Sequence, residues 1–438
     1  MDETLVSRQH DGPVDAASAA RLEERGLRLT RLRNEDRAEY EAWQSAVMRG
    51  FLEHEPSEEQ RTAGFERMGY RRLVAVLDDA GVEPAVPVAT LGSWVGELTV
   101  PDGVLDSCGI SSVTVSPTHR RRGIARALLE GELRTAAALG LPIASLTVSE
   151  SPLYGRYGFA PAADVSSLVL DVKRAAWTGP TAPGRLDFIS RERWREQAPD
   201  LFDRVRRATP GEFTMPGGHW DRFAGTRPDA DKPGRLRAVQ YADPEGRVTG
   251  LALYSVTENN DDYTKSSVDV SSLIVADDEA YAALWRFFVE MDLIGTLRAS
   301  EVSVDEPLLW MIADRRAATV TVVDHHYVRV LDVVRVLSSR RYAAPGRFVL
   351  HVEDPLGIAG GTYTLTVGPD GTATVVADED PDADAVAVTL GIAELSALVL
   401  GQVSALTLSA AGRLQTDDAR ALTRTFRWDE PARLSYWY

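Results

Sequence analysis

The chain has 438 residues and a formal net charge of −17 at pH 7. This length provides for about three domains, and the acidic balance excludes nucleic acid and anionic membranes as expected partners, because both attract basic surfaces. The single cysteine, Cys108, excludes an intramolecular disulfide framework and fits a reducing cytoplasm, where we expect the thiol to pack as a small apolar group.

The N-terminal 25 residues are polar and lack the apolar core of a signal peptide. We expect residues 1–25 to form a poorly ordered tail. No apolar stretch approaches the roughly 20 residues of a membrane-spanning helix.

A first domain is predicted over residues 26–174, as a mixed sheet with helices packed on it. A strand from Leu27 leads to a helix over 36–51, and a second helix begins at Ser57 with Gln60 as a capping-box partner. The other predicted elements are strands over 73–77, 86–95, 107–115, 143–148 and 166–172, and a helix over 121–139.

An arginine-rich turn joins the strand over 107–115 to the following helix. The first N–H groups of a helix have no intrahelical partner and the helix dipole is positive there, so the turn favours an anion. Arginine adds forked donors for phosphate, and a glycine lets a diphosphate approach the backbone. Taken alone, such a turn is more often a solvated helix start. The candidate cofactor-binding residues are Val113, Thr114, Val115, Arg120, Arg121, Arg122, Gly123, Ile124 and Ala125.

The Arg-x-x-Gly-x-Ala spacing of this turn, with a strand on either side, resembles the acetyl-CoA site of the GCN5-related N-acetyltransferases. Three further motifs, at residues 149–159, 327–332 and 340–344, resemble the enhanced intracellular survival (Eis) acetyltransferases of actinobacteria. The resemblance covers most of residues 26–438. It implies an α/β (α+β) fold in which two acetyltransferase domains precede a sterol carrier protein-like α+β domain.

Residues 175–335 partly repeat the order of the first domain. Helices are predicted over 192–207 and 279–291, a hairpin at 243–246 and a strand over 268–275. The turn after this strand is Asp277, Asp278 and Glu279, which would repel a diphosphate. We therefore expect a second, degenerate acetyltransferase-like domain without a cofactor site, which walls the substrate pocket and builds the oligomer.

Residues 336–438 change character to short alternating strands over 348–352, 362–367 and 372–376, followed by an apolar helix over 394–400. This pattern resembles the sterol carrier protein fold. Its apolar positions favour a sealed core over a lipid tunnel.

The resemblance implies roles for individual residues. Ser149 lies near the pantetheine of acetyl-CoA, and Tyr154 is the general acid beside the sulfur, with Tyr157 as the alternative donor. The backbone of residues 113–115 is suited to polarise the thioester carbonyl. The base for the amine is the C-terminal carboxylate, here that of Tyr438, although relatives with this role usually end in phenylalanine.

For the acceptor, Trp43, Phe51 and Glu53 lie on or after the first helix, and an aromatic wall with an acidic rim suits a cationic amine. Trp43 and Phe51 at helical spacing are equally consistent with a core role. Asp324, His325 and His326 are unsuited to a shared metal ion, because neighbouring strand residues point to opposite faces, and no metal is expected.

Together these features predict a cytoplasmic, acetyl-CoA-dependent N-acetyltransferase. The resemblance implies that it acts on aminoglycosides, polyamines or lysine side chains and that it forms a homohexamer built as a trimer of dimers. Two alternatives remain: a biosynthetic amine acetyltransferase of narrow scope, and a non-catalytic scaffold that binds CoA or lipid.

Overall fold

The computed structural model describes residues 3–230, 233–377 and 384–438. The chain divides into two compact units, each discontinuous in sequence. Unit 1 comprises Met1–Ala163, His326–Glu430 and Tyr438, and unit 2 comprises Asp164–His325 and Pro431–Trp437. Among the described residues, no helix is both long and apolar enough to cross a bilayer.

The strands are β1 (Arg28–Arg31), β2 (Arg72–Leu77), β3 (Ala89–Val100), β4 (Gly103–Val115), β5 (Ile143–Thr147), β6 (Ala160–Asp171), β7 (Arg185–Ile189), β8 (Leu236–Ala242), β9 (Val248–Thr257), β10 (Ser266–Val275), β11 (Ile294–Val302), β12 (Ala318–Val330), β13 (Gly346–Glu353), β14 (Gly361–Val367), β15 (Ala373–Ala377), β16 (Val386–Gly391) and β17 (Leu414–Thr416). The α-helices are α1 (Glu3–Asp11), α2 (Ala16–Glu23), α3 (Arg37–Gly50), α4 (Glu58–Arg67), α5 (Ile124–Ala138), α6 (Val172–Ala175), α7 (Arg191–Arg206), α8 (Gly217–Ala224), α9 (Asp278–Val289), α10 (Val333–Ser338), α11 (Ile392–Leu398), α12 (Ala405–Ala410) and α13 (Ala419–Phe426).

In unit 1, the strands β1, β2, β3 and β4 follow one another in antiparallel order, β5 adds in parallel to β4, and the end of β12 from His326 adds antiparallel to β5. Helix α5 packs on this sheet through an apolar face that includes Leu128, Leu129 and Leu133, each at most 2% exposed. Cys108 is fully buried in the same core, and burial raises the pKa of its thiol well above the usual value. This sheet and α5 place the candidate site.

The predicted capping box of the second helix is confirmed, since Ser57 with Gln60 forms a complete capping box at α4. In addition, Asp36 caps α3 through the N–H groups of Ala38 and Glu39. The C-terminal part of unit 1 has a sheet in the order β15, β14, β13, β16 and β17, in which β13 and β16 are parallel.

The prediction of a poorly ordered tail over residues 1–25 is wrong for the part that the structure describes, residues 3–25. Two helices, α1 and α2, occupy most of it, and Leu22 is 1% exposed. Polar contacts hold the segment: the buried Arg72 guanidinium donates to the carbonyl oxygens of Gln9 and Pro13 at 3.2 and 2.8 Å. Low hydrophobicity therefore did not mean disorder, because the order comes from buried hydrogen bonds. Residues 1 and 2 lie outside the described part.

Unit 2 has its own sheet in the order β6, β11, β10, β9, β8 and β7, of which β10 and β11 are parallel. Helix α9 packs on this sheet through Leu284, Trp285 and Phe288, each fully buried. The predicted hairpin at residues 243–246 is confirmed, since β8 and β9 pair antiparallel and Gly246 has φ of 82° in the turn. The order of elements thus repeats that of the first domain.

Candidate active site

Strand β4 is irregular at its C-terminal end. Its antiparallel register with β3 shifts between Thr90 and Gly92, and Ser112 lies in this bulge with φ of 55°. A positive φ at a non-glycine residue costs energy and is typical of functional sites. Among the described residues, the parallel pairing of β4 with β5 ends at Ile110 and Leu146, so the strands diverge beyond that point.

The divergent part of β4 contains the three strand residues predicted to bind the cofactor. Val113 and Val115 are half-buried and pack against the core beneath α5, while Thr114 is buried with its hydroxyl 2.7 Å from that of Thr90. Their side chains are therefore occupied by packing. What remains for a ligand is the backbone on the side of β4 that no longer pairs with β5, as expected for polarisation of a carbonyl.

The turn from β4 to α5 exposes Arg120, Arg121 and Arg122 to solvent. Gly123 is the N-cap of α5 with φ of 72°, and no side chain caps this helix. The first N–H groups of α5 are thus open to an anion. Ile124 is 2% exposed and Ala125 half-buried, so these two residues can offer only their backbone.

Arg25, just beyond α2, adds a cation that the sequence reasoning missed. Its guanidinium donates to the carbonyl oxygen of Arg122, and a Cβ built on Gly123 would lie 2.8 Å from its Nη1 atom. Only the pairing of Arg25 with the turn in three dimensions reveals this contact, because 97 residues separate the two partners. Four arginines therefore lie at this turn, three within it and Arg25 beside it.

Tyr438 is held on β5, the strand that diverges from β4. Its backbone carboxyl oxygen accepts a hydrogen bond from Thr147 Oγ1 at 2.7 Å. Its phenol donates to Ser145 Oγ at 2.9 Å and lies 3.0 Å from Nε2 of His326, and burial raises the pKa of this phenol. Because Ser145 and Thr147 are two residues apart on a strand, they present their hydroxyls on one face.

Two aromatic contacts complete the enclosure of Tyr438. The Trp94 ring meets the Tyr438 ring edge to face at a centroid distance of 5.2 Å, and the His326 ring lies at 5.8 Å. Tyr438 is 6% exposed overall. The last residue of the sequence is therefore fixed by both its backbone and its side chain.

Tyr154 follows β5 in a short turn that begins after Ser149. Ser149 is exposed, whereas Tyr154 is half-buried against Phe159, with a ring centroid distance of 6.2 Å. Burial raises the pKa of Tyr154 to about 12, with the nearby Glu150 carboxylate adding to the shift. At neutral pH this phenol is protonated and can act as a proton donor.

Tyr157, the alternative donor, is placed differently. It is 6% exposed and belongs to the core cluster beneath α5, and burial raises its pKa as well. Its carbonyl oxygen accepts from Nε of Arg329 at 3.2 Å. This buried position favours a structural role for Tyr157 and leaves Tyr154 as the better candidate for the acid.

Arg329 fixes the turn that contains Tyr154 and Tyr157. Its guanidinium forms a fully buried bidentate pair with Asp354, with both oxygens at 2.7 Å. Burial opposes ionisation of Asp354, but the guanidinium and three backbone N–H groups outweigh burial and hold the pKa of this carboxyl below its usual value. The motif around Arg329 is therefore structural.

The three residues predicted to bind the acceptor differ in their exposure to solvent. Trp43 is 3% exposed, and its indole N–H donates to the carbonyl oxygen of Val74, so we assign it to the core and not to the acceptor site. Its spacing on an amphipathic helix was compatible with either role. Phe51 is 45% exposed, and Glu53 is also exposed just beyond the end of α3.

The end of α3 lies close to β4, just before Phe51 and Glu53 in the chain. A Cβ at Gly50 would be 2.4 Å from Cβ of Thr114. Phe51 and Glu53 therefore follow directly after a contact with the predicted cofactor-binding strand. Among the described residues, no group of three or more histidine, cysteine or acidic side chains is placed to hold a metal ion.

Profiles of known domain families match three parts of the chain. An acetyltransferase (GNAT) domain matches residues 31–162, and a second one of the same description matches residues 212–336. A sterol carrier protein domain matches residues 333–435. The predicted succession of two acetyltransferase folds and a sterol carrier protein-like fold is confirmed.

Related proteins cover nearly the whole chain. An uncharacterized N-acetyltransferase of Streptomyces avermitilis is 35% identical over 403 residues, which are 89% of this chain and 94% of that protein. The N-acetyltransferase Eis of Mycobacterium tuberculosis is 32% identical over 378 residues, 83% of this chain and 88% of that protein. The crystal structure of Eis1 from Mycobacterium abscessus has the same fold, with a TM-score of 0.78 at 22% identity over 94% of this chain and 100% of the other.

Two GNAT domains, of which the first has an uncapped helix start after three arginines, together with a sterol carrier protein domain define an N-acetyltransferase. Enzymes with GNAT domains use acetyl-CoA as their acetyl donor as a general rule. The chain belongs to the Eis family of GCN5-related N-acetyltransferases.

Proposed function

We propose that the enzyme transfers acetyl from acetyl-CoA to primary amines of cationic small molecules, such as aminoglycosides and polyamines, or of lysine side chains. The observation that carries the proposal is the fixed carboxyl group of Tyr438. It is bound by Thr147 on β5, next to the place where β5 leaves β4.

The donor has a matching set of groups in the first domain. The diphosphate of CoA would bind at the uncapped N-terminus of α5, with Arg120, Arg121 and Arg122 as charged donors. The residues fit this ligand because Gly123 has a positive φ and offers no side chain. The backbone of residues 113–115 would then polarise the thioester carbonyl, with Ser149 beside the pantetheine.

The remaining two groups move protons. The Tyr438 carboxylate accepts a proton from the substrate ammonium ion, because an ammonium nitrogen has no lone pair. The neutral nitrogen then attacks the carbonyl carbon, and the proton that the new C–N bond makes acidic is lost to solvent. The C–S bond breaks, and the Tyr154 hydroxyl protonates the leaving thiolate and recovers its proton from solvent. A phenol with a pKa of about 12 is a weaker acid than a thiol, whose reference pKa is about 8.5, so Tyr154 mainly hydrogen-bonds the developing thiolate and delivers its proton late.

Charge supports a cationic acceptor. The net charge of −17 attracts polyamines at long range. Next to β4, Glu53 supplies an exposed carboxylate and Phe51 an exposed ring, which suit an ammonium and its apolar body. A homohexamer, expected from the family resemblance, and a cytoplasmic location, expected from the single cysteine, complete the proposal.

The test is release of CoA thiol from acetyl-CoA by the purified enzyme across a panel of aminoglycosides, diamines, lysine peptides and aryl amines. We expect release with several polyamines and a loss of about 10²-fold in turnover for Tyr154→Phe, the usual contribution of a general acid. Tyr157→Phe is the matched control and should retain turnover. Thiol release with one amine alone would contradict the broad acceptor range, and unchanged turnover of Tyr154→Phe would contradict its role.

A further inference from the structure

Unit 2 contains a cavity of about 460 Å³ that the proposed reaction does not use. It is lined by residues 270–276 of β10 and the following turn, by residues 299–302 of β11, and by side chains from α7 to α9. Among the described residues, the parallel pairing of β10 with β11 ends at Val270 and Ala299. The cavity therefore fills the gap between two diverging strands.

This gap is the counterpart of the one between β4 and β5. In both domains a parallel pair separates after a short register, and a bulge accompanies the separation. In unit 2, Glu301 has φ of 51° at a register shift of β11 and lines the cavity. The second domain has thus kept a cleft in the place where the first domain is proposed to bind the acetyl donor.

The ligand of this second cleft differs from CoA. Asp277 caps α9 by accepting from the N–H of Ala280, so the helix end is occupied by a carboxylate, whereas the end of α5 is open. Asp278 and Glu279 follow in the first turn. A diphosphate would meet three carboxylates and no open helix terminus, which excludes it.

Two buried carboxyl groups line the cavity. Glu212 is 2% exposed, accepts from the N–H and hydroxyl of Ser435, and lies 3.6 Å from Nε of Arg433. Glu306 is 5% exposed and accepts a hydrogen bond from the Tyr281 hydroxyl. Burial raises the pKa of both carboxyls.

Two of the three arginines that line the cavity lie next to other carboxylates, and the third, Arg204, is exposed. Arg433 faces Glu212, and Arg206 pairs with Asp203 at 2.6 Å. Arg433 acts on Glu306 only at longer range. Of the two buried carboxyl groups, Glu212 forms the ion pair with Arg433, whereas Glu306 accepts from the neutral Tyr281 hydroxyl. Glu306 is therefore the candidate partner for a cation.

Four aromatic side chains also line the cavity, those of Phe202, Trp220, Trp285 and Tyr436. Aromatic faces together with a buried carboxylate are the usual surroundings of an organic ammonium ion. We propose that this cavity is a second binding site, which takes a small primary ammonium compound with an apolar body and pairs its nitrogen with Glu306. The cavity volume lies in the range of small-molecule sites.

The test is calorimetric titration of the full-length enzyme with 2-phenylethylamine at pH 7.5, compared with 2-phenylethanol and phenylacetate. We expect the amine to bind and the alcohol and the carboxylate to bind at least tenfold more weakly. Glu306→Gln, which keeps an oxygen for Tyr281, should weaken this binding at least tenfold and leave acetyl transfer unchanged. Glu290→Gln, an exposed carboxylate of the same unit, is the matched control.

A second variant protects the test against a folding defect. Ser272 lines the cavity and is half-buried at the bulge of β10, so Ser272→Phe should obstruct the gap without touching the carboxyl groups. Melting temperatures report the folding of both variants. Binding of the amine that survives in both variants, or equal binding of alcohol and amine to the wild type, would overturn the proposal. If both variants still bind the amine and turn over normally, the amine is bound at the acceptor site. That result would overturn the second site and leave the proposed function intact.

Discussion

The terminal tyrosine carries more contacts than a docking aromatic ring requires. Its phenol reaches Ser145 and His326, and its carboxyl oxygen reaches Thr147. Phenylalanine would keep the carboxylate and the ring but not the phenol contacts. We therefore infer that the phenol hydroxyl positions the carboxylate in this chain, through its contacts with Ser145 on β5 and His326 on β12.

Replacing Tyr438 by phenylalanine tests this positioning role. We expect Tyr438→Phe to lose about 1–3 kcal/mol of stability, because it leaves buried polar groups with one partner fewer. Turnover should fall by about tenfold, while the KM for acetyl-CoA stays near that of the wild type. Steady-state kinetics and denaturant unfolding are the measurements. Tyr436→Phe, which loses hydroxyl contacts to two carbonyl oxygens, is the control for stability alone. Full activity of Tyr438→Phe would contradict a positioning role.

The sequence could not indicate these partners. Ser145 and Thr147 lie in a strand that is predicted from its apolar residues, and their hydroxyls gain meaning only beside a residue 291 or more positions away. His326 was weighed only as a metal ligand. By contrast, Tyr154 could be proposed as the general acid from the sequence, because its turn matches a family motif. Trp43 shows a limit of prediction from sequence, because the helical spacing of apolar residues cannot distinguish a face that packs in the core from a face that binds a ligand.

At the scale of elements, the two equivalent helices α5 and α9 show how one turn can gain or lose an anion site. Helix α5 begins at an uncapped glycine after three arginines, and α9 begins at an aspartate cap followed by two carboxylates. Both starts were predicted from sequence, because caps and charges are local signals. The helices α1 and α2 were missed, because their order depends on Arg72 and other distant partners.

The proposed anion site at α5 leads to a quantitative prediction. Arg121→Ala should weaken CoA binding about tenfold, the order expected for loss of one charge-assisted phosphate contact. Calorimetry with CoA measures this affinity, and Arg222→Ala, an exposed arginine of unit 2, should leave it unchanged. Equal affinities of the wild type and Arg121→Ala would show that the diphosphate binds elsewhere.

At the scale of the molecule, unit 1 combines the first domain with most of the sterol carrier protein-like region. The buried pair of Arg329 and Asp354 links the two within this unit, since the same guanidinium also holds the carbonyl of Tyr157. The sequence motif around Arg329 supported the family resemblance, but only the structure shows that Arg329 holds the turn of Tyr154 and Tyr157. The predicted domain boundaries stay predictions.

Removing this arginine has an effect that depends on pH. Arg329→Leu leaves Asp354 buried without its cation, and we expect a loss of about 3–5 kcal/mol near pH 7. Because the folded-state pKa of Asp354 is lowered, the pair stabilises the wild type above the unfolded pKa of about 3.9, and this contribution is lost as the pH falls below it. The difference between the wild type and the variant should therefore shrink on acidification.

Urea unfolding at several pH values measures this difference. Arg341→Leu, which removes an exposed pair with Asp102 at 3.5 Å, is the control and should cost about 0–1 kcal/mol. A loss for Arg329→Leu as small as that of the control would contradict the bracing role.

The central claim is that the carboxylate of Tyr438 is the base of the acetyl transfer. The most direct test adds one glycine after Tyr438, which converts that carboxylate into an amide and keeps the phenol. We expect turnover to fall by about 10²-fold, while CoA affinity and melting temperature stay near those of the wild type. Turnover equal to that of the wild type, with the same dependence on pH, would contradict the claim.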